Sequence, residues 1–162
     1  MVTLGVRLTS GSGLLHYPPL VDPRPIVALL IATVVVDVTY WTLWFTDRGL
    51  LASDPSQAYT DFENAFPLAD AWLGLSAVLA AVALRRRSPQ ALLWLIATGS
   101  AAAYLLGMDV LYDLQHSIWW TSGSEGWIEL GVNVATAVVS ATLLHWGWNH
   151  RVALQATVGA EG

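Results

Sequence analysis

Four stretches of this chain are too apolar and too long to be anything but membrane spans. The hydrocarbon core of a bilayer takes roughly 20 apolar residues in a helix. Residues 25–46, 68–84, 91–112 and 127–148 each supply such a run. The second is the shortest, and Phe66 and Pro67 can lengthen its outer end. In lipid every backbone polar group must be satisfied within the segment, so these runs read as α-helices. The expected fold is therefore all-α: an integral membrane four-helix bundle. Residues 1–24 form an arm before it, rich in Gly, Pro and small polar residues, and residues 149–162 form a short, frayed tail. The arm lacks the basic and apolar regions of a cleavable signal, so span one is expected to act as its own insertion signal.

Basic residues orient the bundle. There is no lysine. Arg7, Arg24, Arg85, Arg86, Arg87 and Arg151 fall on one side of a four-span chain, and only Arg48 on the other. The positive-inside rule then places both termini and the Arg85–Arg87 turn in the cytoplasm, as for a multi-pass protein of the cell membrane. A three- or five-span arrangement would part Arg151 from the other arginines.

Between spans one and two, Asp54-Pro55 has the form of an N-cap followed by proline at N1. Ala58, Tyr59, Phe62, Ala65 and Phe66 then recur at helical spacing, with Gln57, Thr60, Asp61, Glu63 and Asn64 on the other face. This predicts a short amphipathic interfacial helix over residues 55–66. In the second outer loop Trp119 and Trp120 lie at headgroup depth, and Ser122-Gly-Ser-Glu125 has capping-box spacing.

Function classes narrow by exclusion. No cysteine is present, so disulfide and thiolate chemistry are out. A net charge of -5 argues against nucleic acid as a partner. There is no HExxH, no paired histidine at ligand spacing, no phosphate-binding glycine loop and no GxSxG elbow; neither a metal nor a cofactor is expected. His145 and His150 lie near the inner end, in position to snorkel or to bind lipid.

What remains is a carboxylate asymmetry. Asp37, Asp47, Asp70, Asp109, Asp113 and Glu129 all sit in or beside the outer half of a span. Ionisable groups inside a membrane are expensive; they face protein or water and point to function. Asp37 is the deepest, roughly 13 Å below the outer end of span one at helical rise. Asp70 and Glu129 begin their spans, where the helix dipole alone would explain them. Asn133, four residues after Glu129, shares its face. Asp109 and Asp113 are also four apart, and like charges at that spacing repel. Asp47-Arg48 reads as a surface pair, and the outer tryptophans as an aromatic belt or as the walls of a pocket for an apolar or cationic ligand.

The candidate catalytic groups are thus Asp37, Asp70, Asp109 and Glu129. Tyr40, Trp41, Trp72, Tyr112, Asn133, His116 and Asp47 are the candidate substrate contacts. Convergence of the four acids on one cavity open to the outer side is expected, because a carboxylate facing lipid costs ~2.5–3.5 kcal/mol on insertion scales. Crowded in low dielectric, they cannot all ionise cheaply. One protonated acid and one ionised partner would suit proton transfer to an alkene or epoxide, as in isomerisation or cyclisation of a terpenoid or sterol-like lipid. The same pocket suits a lipid or small-ligand binding protein, the acids suit a proton-coupled transport component, and an accessory subunit could use them to satisfy a partner. A membrane lipid or lipophilic small molecule is the expected partner, and a homo-oligomer is compatible with all four.

The layout resembles the four-helix EXPERA family, that of the emopamil-binding protein and the sigma-2 receptor. The likeness spans residues 26–148. It rests on Leu43-Trp44-Phe45-Thr46-Asp47 closing span one, a surface helix before span two, and Asp70 in span two. It implies a membrane-buried ligand cavity lined by Asp47 and Asp70. The first outer loop is shorter than the family's, Asp70 sits nearer the surface, and the family's catalytic histidine has no counterpart.

The cysteine-free background makes the orientation testable. Single cysteines at Arg86, Gln57 and Ser122 should label from outside intact cells at the last two positions only; external labelling of Arg86→Cys would reverse the topology.

Overall fold

A computed structural model describes residues 22–52 and 55–155. The arm through residue 21, residues 53–54 and the end of the tail from residue 156 lie outside the described residues. The described chain is all-helical in outline: α1 (Arg24–Thr46), a 3₁₀ turn (Arg48–Leu50), α2 (Gln57–Glu63), α3 (Pro67–Arg85), α4 (Ala91–His116), α5 (Ile118–Thr121), α6 (Ser124–Asn149) and α7 (Arg151–Gln155). Four helical segments are long and apolar enough to cross a membrane, Arg24–Thr46, Gln57–Arg85, Ala91–His116 and Gly126–Asn149.

Local chemistry explains the boundaries. Pro25 falls in the first turn of α1 and Pro67 in that of α3, where a missing N–H is harmless. The cap of α2 is Ser56, whose side chain accepts the Tyr59 N–H at 3.2 Å. The expected cap residue, Asp54, lies outside the described residues. The capping box expected at Ser122 does not form. Gly123, at φ 63°, occupies the N-cap of α6 instead, and Ser122 ends α5. Span three runs one turn beyond the expected end, to His116, and stops where Ser117 turns left-handed at φ 58°.

The α3 end is a Schellman motif. Ser88 N–H reaches the Ala83 carbonyl at 2.8 Å and Arg87 N–H reaches that of Leu84 at 3.2 Å. The left-handed position between them is Arg87, at φ 52°. Glycine is usual there; a side chain costs roughly 1–2 kcal/mol.

Packing is uneven around the bundle. α3 lies against α1 and α4, and α4 against α6. Small residues are buried on both of the middle helices: Ser76, Ala77 and Ala80 on α3, Ala91, Thr98 and Ala102 on α4, with Gly74 turned to Asp37 of α1 and Gly99 to α6. Lipid tails are as apolar as leucine, so close backbone approach, not hydrophobic burial, holds such helices together. Ser140 of α6 donates to the Gly99 carbonyl at 2.8 Å in a buried bond. α1 and α6 touch one another little, and they are the least buried spans. Apolar side chains such as Val36 and Val138 project outward from them.

A methyl group at Gly99 would lie 2.8 Å from Leu144 Cγ. Gly99→Ala should therefore destabilise the bundle by ~1–3 kcal/mol, the usual range for overpacking. Thermal unfolding in detergent reads the effect; an unchanged melting temperature would show that α4 and α6 do not pack this tightly.

Candidate functional site

The site begins with α2. Its apolar stripe turns inward: Tyr59 and Phe66 are buried, and Phe62 stacks on Tyr112 at 3.9 Å between ring centroids. The helix thus caps one end of the bundle with its apolar face. Glu63, expected on its polar face, is buried and accepts the Tyr40 hydroxyl at 2.8 Å. The signal for it was in the spacing. Residue 63 follows Tyr59 by four and precedes Phe66 by three, so the inward stripe of a helix includes it.

Below α2 lies a cavity of about 310 Å³. One carboxyl from each of five helices lines it: Asp37 of α1, Glu63 of α2, Asp70 of α3, Asp109 of α4 and Glu129 of α6. The four acids nominated from the sequence are therefore brought together, and Glu63 joins them. Tyr40 also lines the space; its remaining walls are Leu, Val, Ala, Thr and Phe side chains from α1, α3, α4 and α6. Among the described residues no arginine or histidine lines it. Asp109 is in electrostatic reach of Glu63, Glu129, Asp113 and Asp70, and Asp70 of Asp37 and Glu63. Gly74 makes room for Asp37: a Cβ there would sit 2.7 Å from Asp37 Oδ2.

Tryptophans hold the acids rather than wall the cavity. Trp41 Nε1–H donates to Asp70 Oδ2 at 2.9 Å. Trp119 Nε1–H donates to Asp113 Oδ2 at 2.9 Å, and Asn133 Nδ2 to the same oxygen at 2.7 Å. Trp44, fully buried, donates to Asn64 Oδ1 at 3.1 Å. The aromatic-belt reading fits the exposed Trp120 and Trp127, not these three.

Several nominated contacts lie elsewhere. Asn133 is buried and does not line the cavity; its Nδ2 donates to Asp113, and its Oδ1 has no partner among the described residues. Asp113, one turn after Asp109, is buried and does not line the cavity. Trp72 points outward, half exposed, toward Trp94. Tyr112 is buried in the α2 aromatic stack, and the exposed His116 lies on its ring at 4.0 Å. Asp47 is exposed at the C-cap of α1. Its expected partner, Arg48, sits over the Trp44 ring at 4.9 Å, and no ion pair joins the two among the described residues. Of the two acids that the family resemblance assigns to a cavity, Asp70 lines one and Asp47 does not.

No family model, curated protein or solved structure matches this chain.

The Tyr40–Glu63 bond is the seal between α1 and α2. Tyr40→Phe removes one of two tyrosine donors to a buried carboxyl, Tyr59 being the other, which should lower stability by about 0.5–1.5 kcal/mol. Glu63→Gln keeps an acceptor oxygen and should lose much less. Melting curves of the two variants check the order; equal losses would mean that the bond carries none of the stability.

Proposed function

We propose that the chain is a membrane-embedded acid/base enzyme, of isomerase or cyclase type, acting on a small lipophilic substrate. The observation that carries this reading is the meeting of five carboxyls in an apolar-walled cavity that no basic side chain enters. Such a set, with no basic side chain lining the cavity among the described residues, is not wholly ionised at low cost, which favours sharing of protons among its members. A shared proton is what an alkene or epoxide needs from a general acid, and a neighbouring carboxylate can take one back. Asp109 and Asp37 are assigned the acid role, Asp70 and Glu129 the accepting role. Trp41 positions Asp70, and Tyr40 positions Glu63.

The cavity's size bears on the substrate. Ligand cavities run from roughly 300 to 1,000 Å³, and this one is at the low end. A small terpenoid, or the reactive end of a longer chain, suits it better than a whole sterol skeleton. The arginine asymmetry supports placing the acid end on the outer side of the cell membrane, with both termini inside. The resemblance to the EXPERA family supports the same general class of ligand.

The carrier reading uses the same cavity without chemistry, and solvent isotope separates the two. Lipophilic compounds that co-purify with the protein, returned to it in D₂O, should gain carbon-bound deuterium detectable by mass spectrometry. Asp109→Asn or Asp37→Asn should cut the rate by roughly 10²–10⁴-fold, the usual worth of a positioned acid or base. Tight retention without deuterium uptake would establish a carrier and remove the enzyme.

A further inference from the structure

The opposite end of the bundle holds a second, larger cavity, of about 790 Å³, between the start of α1, the α3–α4 turn, the end of α6 and α7. Its walls are apolar, with Val27 and Ile31 on one side and Trp146 on the other. Its rim carries three arginines, Arg24, Arg85 and Arg87, with His150 beside them. The one acid among its lining residues is Asp22, and that acid is already engaged, 3.8 Å from Arg24. Arg85 and Arg87 make no ion pair with any described residue.

We propose that this cavity binds an anionic phospholipid, with its phosphate headgroup held by Arg85 and Arg87 and its chain against Ile31 and Trp146. Arginine's planar fork matches phosphate oxygens in pairs. The space far exceeds a bare phosphate ion, and its apolar walls suit an acyl or prenyl chain. His150 is fixed beside it: the ring stacks on Trp146 at 4.5 Å and Nδ1 meets the Trp146 carbonyl at 2.7 Å.

Membrane orientation alone does not explain the arrangement. A positive-inside signal works from anywhere in the turn, and Arg86 serves it without lining the cavity. Arg87 is different. It occupies the left-handed position of the Schellman motif, which glycine would complete without strain. An arginine kept at a strained position points to a role for its side chain. The site lies at the far end from the acid cavity and stands or falls without it.

The test is native mass spectrometry of the full chain in mixed micelles containing dioleoyl phosphatidic acid and dioleoyl phosphatidylcholine. The wild-type chain should retain phosphatidic acid selectively. Arg85→Gln and Arg87→Gly should each weaken retention roughly tenfold, the loss of one charge-assisted contact, while Arg86→Gln and Arg151→Gln leave it unchanged. Arg87→Gly should also raise the melting temperature, so its lost binding cannot be put down to misfolding. Millimolar inorganic phosphate should not displace the lipid. Equal retention of phosphatidylcholine, a loss in Arg86→Gln matching that in Arg87→Gly, or displacement by inorganic phosphate would each overturn the proposal.

Discussion

A carboxyl group in a bilayer has few places to go, and the acid end of this bundle is arranged around that constraint. Exposure to hydrocarbon costs several kcal/mol per group, so acids on different spans turn toward one another. Here they meet in a shared space below α2. Donors then collect around them: Tyr40 on Glu63, Trp41 on Asp70, Trp119 and Asn133 on Asp113. Each such bond joins two different helices, so satisfying the acids also fixes α2 and the α4–α6 connection. The acids therefore act as part of the scaffold as well as of the candidate site.

The space itself comes from unequal packing. α3 and α4 bury alanine, serine and threonine and lie against one another. α1 and α6 carry valine-rich faces and touch little. Four spans of one size class thus form an arc rather than a closed square. The gap along α1 and α6 accommodates one cavity near each end: acids and apolar side chains line one, arginines and apolar side chains the other. The polarity of the two ends follows the sequence asymmetry of arginine and aspartate.

The spans were legible because apolar length is a one-dimensional property. Pro25, Pro67 and the Arg85–Arg87 turn marked boundaries that the structure keeps to within a residue or so. The meeting of Asp37, Asp70, Asp109 and Glu129 was legible for the same reason, since depth and the cost of charge can be read from position. Side-chain direction around each helix was not. Trp72 and Trp41 look alike in sequence, yet one faces out and the other holds Asp70. Glu63 reads as part of the polar face by its charge, although its spacing from Tyr59 and Phe66 puts it on the inward stripe. Asn133 shares a face with Glu129, but rotation of α6 gives it to Asp113.

The convergence of acids from separate spans is the central claim, and proximity across the cavity tests it most directly. The chain has no cysteine, so Asp37→Cys/Asp109→Cys in native membranes can be treated with a bismaleimide spanning about 10 Å, the distance of neighbouring packed helices. The account predicts an efficient cross-link within one chain, and none for Asp37→Cys/Trp72→Cys, whose second position faces outward. Absence of the first cross-link, or equal yield from both pairs, would contradict it.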